Sequence, residues 1–383
     1  MEFRDLKRQY EYLKVDIDKN IQSVIDSTSF IGGEMVSRLE HELAGYVNVK
    51  HCITCANGTD ALQLALTAWD IREGDAVFVP DFTFFSSGEV VSAVGATPIF
   101  VDVRKDTFNI DINSLEEQIG IVKEQERLKP KVIIAVDLFG QPAEYDEIRR
   151  ICNREELLLL EDGAQGFGGR IGEKKACSFG DISTTSFFPA KPLGCYGDGG
   201  AIFTDNDDWA ELIRSYKVHG MGMNKYDNVR IGMNSRLDSI QAAVLLAKLP
   251  VFMTEEVEKA NTVANKYTEA LKGVVTTPIV IKNYSCSWAQ YTIQLKNQEI
   301  RDGLKVYLKK QGIPSMVYYQ KPMHRQVAFN TNGYENIGDM YPNTYLLCDT
   351  VLSLPFHPYM DISEIEEAVK CIRRFVNQKQ KAT

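Results

Sequence analysis

Residues 186–200 read SFFPAKPLGCYGDGG, and one lysine in this stretch has an unusual setting. Lys191 stands between Pro189 and Pro192, after an apolar run and ahead of four glycines. Each proline fixes its own φ and restricts the residue before it, so the loop around the lysine is stiff. A lysine held in this way loses its proton more readily than one in water and can attack a carbonyl. The stretch therefore predicts a chemically active lysine that follows a strand.

The strand before Lys191 belongs to a series of short apolar, β-branched runs. Continuously apolar runs are typical of strands buried on both faces of a mostly parallel sheet. They lie at 52–56, 76–80, 97–103, 131–136, 157–162, 181–188 and 200–205. Helical patterns lie between the earlier runs, for example Leu62, Ala65, Leu66 and Trp69 at helical spacing. The alternation predicts an α/β fold whose mostly parallel central sheet is flanked by helices.

From about residue 238 the pattern changes to longer helices, with Asp238 placed as an N-cap. A strand is expected at 289–295 and a helix near 299–311. A final helix, ISEIEEAVKCIRRFV, begins after Asp361, and Asp361 and Glu364 are spaced as a capping pair. We therefore expect a large α/β domain over residues 1–250, including an N-terminal helix, and a smaller α+β domain over 251–383.

Composition excludes several classes of protein. The 383 residues are 44% hydrophobic and 25% charged with a net charge of −9, and no basic stripe suggests a nucleic-acid partner. No apolar run approaches the roughly 20 residues of a membrane helix, and the first residues lack a signal peptide's apolar core. Eight scattered cysteines indicate reduced thiols and a cytoplasmic protein. Cys52 and Cys55 match C-x-x-C but have no second ligand pair, so we interpret them as strand residues and expect no metal.

Two further stretches carry chemistry. Asn57, Gly58 and Thr59 join a strand directly to a helix, where free backbone N–H groups bind a phosphate well, although the same residues are also ordinary turn and cap residues. Neither the Walker pattern nor GxGxxG after a strand is present. Asp162 follows four leucines, at the strand end where α/β sheets bind ligands. A carboxylate there needs a cation or hydrogen-bond donors, such as a protonated heterocyclic nitrogen, unless it simply pins the following loop.

A phosphate cradle, a buried aspartate and a constrained lysine in this order are the parts of a pyridoxal 5'-phosphate (PLP) site. The sequence resembles the DegT/StrS-type nucleotide-sugar aminotransferases, a branch of the fold type I PLP enzymes. The resemblance extends nearly end to end. It includes FRDLKRQY, ANGTDAL, PDFTFFSS, LFGQPAEYDEI, EDGAQGFGG, SFFPAKPLGCYGDGG, NSRLDSIQAA and SLPFHPYMD.

The resemblance implies roles around the cofactor ring. Lys191 matches the lysine that binds the cofactor covalently and moves the proton. Asp162 matches the partner of the pyridinium nitrogen, and Gln165 a residue set against the ring or its phenolic oxygen. Phe84 matches the aromatic residue stacked on the other ring face.

The resemblance also implies phosphate and substrate contacts. Gly58, Thr59 and Ser186 match phosphate ligands. Asn234 matches a phosphate ligand donated by a neighbouring subunit, so the expected assembly is a homodimer with shared sites. The substrate candidates are Arg236, Tyr318, Tyr319 and His324. His219 also fits a recurring histidine of the family, but we interpret it as a structural residue with its hydrogen bonds satisfied.

The implied activity is transfer of the amino group of L-glutamate, which becomes 2-oxoglutarate, to a nucleotide-linked keto sugar. The motif sequences most resemble those of family members that act on a UDP-linked 2-acetamido-3-keto-hexuronate in surface-polysaccharide or lipopolysaccharide biosynthesis. A dTDP-linked 3-keto or UDP-linked 4-keto 6-deoxyhexose is the alternative. Dehydratase relatives carry histidine where the aminotransferases carry lysine, so Lys191 argues against that reaction. The intact set of cofactor residues argues against a non-catalytic regulatory protein.

Overall fold

The computed structural model describes residues 1–224, 226–332 and 340–380. Its centre is a seven-stranded sheet in the order β1-β9-β8-β5-β4-β2-β3. These strands are β1 His51–Cys55, β2 Asp75–Pro80, β3 Thr97–Val101, β4 Lys129–Val136, β5 Leu158–Asp162, β8 Ile182–Ser186 and β9 Gly200–Thr204. Only β9 runs antiparallel to its neighbours β1 and β8. The mostly parallel sheet predicted from the apolar runs is confirmed.

The remaining strands form two small sheets. One contains β6 Arg170–Ile171, β7 Lys174–Lys175 and β10 Tyr284–Ser285, and the other pairs β11 Tyr291–Gln294 with β12 Val351–Leu354. The helices are α1 Leu6–Ser27, α2 Glu34–Val47, α3 Gly58–Ala68, α4 Ser86–Ala93, α5 Ile112–Gln125, α6 Tyr145–Glu155, α7 Asp207–Tyr216, α8 Ser239–Val251, α9 Val257–Leu271, α10 Gln298–Lys310, α11 Pro342–Thr350 and α12 Ile362–Gln380. Within the described ranges, no helix is long and apolar enough to cross a membrane.

The chain after residue 250 builds a core of its own. Side chains of α9, α10, α12, β11 and β12 form one buried cluster, with Tyr267, Tyr291 and Leu304 fully buried. Helix α11 instead packs against the large core through Leu347. Its N-terminus is held by the buried Asp102 carboxylate, which accepts the Thr344 N–H at 2.8 Å. The separate cluster supports the proposed division near residue 250, with α11 as the element that joins the two parts.

Two expectations about helix caps have different outcomes. The Glu364 carboxylate in the first turn of α12 accepts the Asp361 N–H at 3.0 Å, so the two residues interact as the capping pair predicts. Asp238 occupies the N-cap position of α8, but its side chain makes no capping bond. The Ser239 hydroxyl donates to the Gly32 carbonyl at 2.7 Å and ties the start of α8 to the residues after α1.

Cys52 and Cys55 are both buried on β1 and both free. They belong to different core clusters on opposite faces of the sheet, because residues three apart in a strand point in opposite directions. The two thiols therefore cannot share a metal ion or form a disulfide without rearrangement, and the interpretation as strand residues is confirmed.

Two carboxyl groups are buried together where β4 and β5 end. Asp137 follows β4, and its Oδ1 accepts the Tyr145 hydroxyl at 2.7 Å and the Ala143 N–H at 3.0 Å. Glu161 on β5 accepts the Ser183 hydroxyl at 2.7 Å. Burial raises the pKa of Asp137 well above its ordinary value, and the charge of Glu161 raises it further. The folded protein therefore retains a proton on Asp137 that the unfolded chain releases at lower pH.

This shift predicts how stability depends on pH. The favourable contribution of protonated Asp137 is complete below its unfolded pKa, near 3.8, and is lost as pH rises through the folded pKa. Asp137→Asn keeps an acceptor for Tyr145 and Ala143 and does not titrate. We expect the difference in unfolding free energy between D137N and the wild type to move in favour of D137N as pH rises from about 4 toward 8.

Urea unfolding at a series of pH values measures this difference. Asp16→Asn, exposed on α1, controls for the loss of one negative charge. A difference that stays constant across the range, or that moves against D137N, contradicts the assignment.

Candidate active site

The site lies along one edge of the central sheet. The carboxyl ends of β1, β2, β4, β5 and β8 all meet this edge, since these strands run in the same direction. Residues that directly follow the strands are therefore brought together from distant parts of the sequence. Gly58 and Thr59 follow β1, Phe84 follows β2, and Lys191 follows β8. This edge is where open α/β sheets bind their ligands.

Lys191 is partly buried in the turn after β8, where its backbone N–H donates to the Phe188 carbonyl at 2.8 Å. Its own carbonyl accepts a hydrogen bond from Arg4 Nη2 at 2.9 Å. Burial lowers the pKa of the Lys191 amine. The Asp162 carboxylate opposes this shift, whereas the Arg4 charge adds to it. The amine therefore gives up its proton more readily than a lysine in water, as a nucleophile or base requires.

The glycines after Lys191 pack against the backbone. A Cβ on Gly194 would lie 2.4 Å from the Pro189 carbonyl oxygen. A Cβ on Gly200, the first residue of β9, would lie 2.5 Å from the Asn57 carbonyl oxygen. Both contacts are far closer than a side chain tolerates. The glycine-rich run is therefore required by close backbone approach at this edge of the sheet.

Asp162 ends β5 and is only 5% exposed. Its Oδ2 accepts the Ser87 hydroxyl at 2.7 Å, and its Oδ1 accepts the Ala164 N–H at 3.2 Å. Burial raises the pKa of the Asp162 carboxyl, while these hydrogen bonds and the charge of Lys191 lower it. A second cation against this carboxyl, such as a protonated ring nitrogen, would favour the charged form further.

A corner that suits a phosphate, called the phosphate corner below, is formed where α3 begins. Gly58 is the first residue of this helix, and the Asn57 side chain caps it by accepting the Asp60 N–H at 2.8 Å. The first N–H groups of a helix have no partner within it, and they lie at its positive end. Ser186 is close by, since a Cβ on Gly58 would lie 2.8 Å from the Ser186 Cβ. The Thr59 hydroxyl lies 2.7 Å from that of Ser86.

Aromatic and amide groups flank this corner. Gln165 Oε1 accepts the Phe139 N–H at 2.7 Å, and its Nε2 donates to the Tyr319 hydroxyl at 3.3 Å. The Tyr319 ring centre lies 6.4 Å from that of Phe84, which is 54% exposed, and 5.7 Å from that of Tyr318. The structure thus brings Gln165, Phe84 and Tyr319 together from three separate segments.

Asn234 and Arg236 precede α8 and are not joined to this cluster. In the part of the chain that the structure describes, no hydrogen bond or ion pair links either side chain to Lys191, Asp162 or Thr59. Asn234 is exposed and Arg236 partly exposed. Between them, the Ser235 hydroxyl accepts the Ala56 N–H at 3.1 Å, so the backbone of this segment lies close to β1.

The two histidines differ from expectation. His324 is 2% exposed, with Nδ1 2.7 Å from Asp81 Oδ2 and Nε2 2.9 Å from the Tyr345 hydroxyl. Both ring nitrogens are engaged within the chain, so the structure does not support His324 as a substrate contact and gives it a structural role. His219 was expected to have its hydrogen bonds satisfied, but its side chain is exposed. Its backbone N–H donates to the Met233 carbonyl at 2.9 Å, and its carbonyl accepts from Asn228 Nδ2 at 2.9 Å.

Two residues of the site were not identified from the sequence. Ser87, the hydroxyl partner of Asp162, lies in the PDFTFFSS stretch, where it follows Phe84 by three residues. Arg4 lies in FRDLKRQY, 187 residues before Lys191. A serine in a stretch already associated with the site was a usable signal for Ser87. Nothing in the local sequence indicates the partner of Arg4.

The donor set of this cluster fits PLP. The N-terminal end of α3 with the hydroxyls of Thr59 and Ser186 suits a phosphate, and the buried Asp162 suits a protonated pyridine nitrogen. The Lys191 amine suits an aldehyde. Among the described residues, no group of three or more His, Cys, Asp or Glu side chains is arranged to hold a metal ion.

Comparison with known sequences identifies relatives over nearly the whole chain. The UDP-2-acetamido-2-deoxy-3-oxo-D-glucuronate aminotransferase of Pseudomonas aeruginosa is 40% identical, with 96% of this chain and 98% of the relative aligned. A pleiotropic regulatory protein of Geobacillus stearothermophilus is 39% identical over 97% of both chains. The UDP-N-acetyl-3-dehydro-alpha-D-glucosamine 3-aminotransferase of Acidithiobacillus ferrooxidans is 37% identical over 97% of this chain and 96% of the relative.

Solved structures agree with the sequence relatives. A DegT DnrJ EryC1 StrS aminotransferase from Brucella abortus superposes with a TM-score of 0.94 and 45% identity, covering 98% of this chain and 99% of the other. The profile of the DegT/DnrJ/EryC1/StrS aminotransferase family matches residues 11–373. On this evidence the chain belongs to the DegT/DnrJ/EryC1/StrS aminotransferase family, whose enzymes use PLP.

Proposed function

We propose that this enzyme transfers the amino group of L-glutamate to a UDP-linked 3-keto sugar of the 2-acetamido-3-keto-hexuronate class, in surface-polysaccharide biosynthesis. The observation that carries the proposal is the partly buried Lys191 amine, which interacts with the charge of the Asp162 carboxylate at the ends of two neighbouring strands, together with the N-terminal end of α3. The sugar class rests on the Pseudomonas and Acidithiobacillus relatives, whose names specify UDP-linked 3-oxo or 3-dehydro sugars.

Each residue of the site has a distinct task. PLP, when bound, withdraws electrons from the amino carbon of the substrate and makes its proton acidic. Lys191 accepts that proton and later returns it, because burial favours the uncharged form of its amine. Asp162 holds a proton on the ring nitrogen through its negative charge. Ser87 keeps the carboxylate oriented. Gln165 and Tyr319 form a hydrogen-bonded wall beside them.

Tyr318, Tyr319 and Arg236 remain the proposed substrate contacts. The two tyrosine rings and Phe84 form an aromatic cluster, which suits an apolar sugar face or a nucleobase. Arg236 is a partly exposed cation, which suits a diphosphate or a carboxylate.

Replacing the lysine tests the chemistry. Lys191→Ala removes both the covalent anchor and the proton carrier, so we expect glutamate-dependent turnover to fall by at least about 10³-fold. The variant should still bind PLP through the phosphate corner and Asp162, as measured by equilibrium dialysis. Adding L-glutamate alone to the wild type should shift its visible spectrum to that of the pyridoxamine form. Full turnover by K191A would exclude the assignment.

The sugar is tested separately in the reverse direction. Purified enzyme is incubated with 2-oxoglutarate and a panel of UDP- and dTDP-linked amino sugars, and glutamate formation is measured. We expect the UDP-linked 3-amino uronate to react fastest. A preference for a 4-amino or dTDP-linked sugar would change the substrate class while leaving the role of Lys191 intact.

We further propose a homodimer in which two chains share their sites. The segment before α8 exposes several large apolar side chains: Met223 is 101% exposed, Ile231 95% and Tyr226 84%. Large apolar side chains exposed along one short segment are typical of a protein interface. Asn234 on the same segment is exposed, as a residue donated to a partner subunit would be.

Eight free cysteines favour a reducing compartment, and we propose the cytoplasm.

A charge within this surface should separate the subunits. We expect Ile231→Glu to sediment as a monomer with little activity, because a buried interfacial charge is costly. Val306→Glu, which places the same charge at an exposed position of α10, should sediment like the wild type. A dimeric I231E, or a monomeric wild type, would contradict the proposed interface.

Mixing two inactive variants tests the shared site. K191A and Asn234→Ala are combined under conditions that exchange subunits. If Asn234 acts across the interface, each mixed dimer contains one site with neither substitution, and activity returns. If Asn234 serves its own chain, near Ala56, activity stays at the level of the separate variants.

A further inference from the structure

The N-terminal segment contacts both cores next to Lys191. The Phe3 carbonyl accepts the Phe356 N–H at 3.0 Å, and the Phe3 ring lies 6.3 Å from that of Tyr318. The next residue, Arg4, extends to the Lys191 carbonyl, which accepts a hydrogen bond from Arg4 Nη2 at 2.9 Å. Arg4 thereby joins the chain's first residues to the loop that carries the reactive amine.

A second cation holds the same loop three residues further on. Lys248 of α8 is 1% exposed, and its Nζ donates to the Gly194 carbonyl at 2.7 Å. It also lies 4.3 Å from the centre of the Tyr196 ring. Burial lowers the pKa of Lys248 to about 8. The loop is therefore fixed at two carbonyl oxygens by two cations that come from different elements.

One buried carboxylate lies close to both cations. Glu256 is 2% exposed and accepts the Gln9 amide at 2.8 Å and the Tyr359 hydroxyl at 2.6 Å. Its charge raises the pKa of Arg4 and that of Lys248. Among the described residues, no oxygen of Glu256 comes within ion-pair distance of either cation, so the carboxylate compensates the two charges only in part.

The two cations differ in what they do to Lys191. The charged groups that act on the Lys191 amine are Asp162, which favours its protonated form, and Arg4, which disfavours it. Lys248 instead interacts with Glu256, Arg4 and Cys195, and Arg4 also faces Glu256 and His357. Both cations hold the loop, but only Arg4 opposes Asp162 at the amine.

We propose that Arg4 is a positioning residue for Lys191: its guanidinium fixes the loop through the Lys191 carbonyl and so places a positive charge beside the residue that carries the proton. The proposal rests on the proposed function, in which Lys191 carries the proton. Arg4, near the start of the sequence, would thus support catalysis in addition to holding the loop, without contacting the reacting atoms.

The test reads the Lys191 amine directly. The full chain is freed of cofactor and trace-labelled with acetic anhydride across a range of pH, and the Lys191 peptide is quantified by mass spectrometry. Arg4→Met removes the donor and the charge, and Arg4→Gln keeps a donor without the charge. We expect both to move the labelling midpoint of Lys191 to higher pH, with a severalfold lower labelling rate near neutral pH. Arg4→Lys, which keeps the charge, should stay close to the wild type.

Lys248→Met is the matched control. It also frees one loop carbonyl, so it should lower the thermal unfolding temperature, but it should leave the Lys191 midpoint in place. An unchanged midpoint in R4Q would overturn the proposal, as would a shift in K248M equal to that in R4M, because loosening of the loop would then explain both. If R4M does not fold, R4Q decides. Absence of transamination in the wild-type holoenzyme would refute the proposed function, whereas the midpoints would still decide the role of Arg4.

Discussion

Lys191 and Asp162 carry opposite charges in one partly dehydrated site, and the rest of the structure depends on this constraint. Both groups are unfavourable there alone, because burial penalises the charged form of each. The fold compensates Asp162 with a serine hydroxyl and a backbone N–H, and it holds Lys191 in a loop that cannot relax. Sheet direction is what brings them together, since β5 and β8 are parallel neighbours.

Much of this arrangement was predictable from the sequence. The apolar runs at 76–80, 131–136 and 157–162 are buried strands, as expected, because a strand covered on both faces must be apolar throughout. Asp162 and Lys191 could be identified because a charged group after such a run needs a compensating partner, and a lysine between two prolines is unusually constrained. The family resemblance then extended the assignment to residues such as Gln165, whose position alone carries no signal.

Other features depend on contacts that no local pattern encodes. The run at 200–205 is a strand as predicted, but its antiparallel direction is not visible in its composition. His324 was proposed as a substrate contact from the family resemblance, whereas its buried partner Asp81 lies 243 residues away in the sequence. Arg4 and Glu256 resemble surface residues in sequence. In the fold, Glu256 is buried against Gln9 of α1, and the partly buried Arg4 reaches the Lys191 carbonyl.

Because β9 is antiparallel to β8, the segment that carries Lys191 is held at both ends, which affects every catalytic turnover. Ser186 and Gly200 are cross-strand neighbours, and the Phe187 N–H donates to the Gly199 carbonyl at 2.7 Å. The segment that carries Lys191 is thus a ring closed by the sheet, not a tether with one free end. Both of its ends are therefore fixed by pairing in the central sheet. The entropy cost of ordering the Lys191 amine therefore arises once, when the chain folds, and not again with each new substrate.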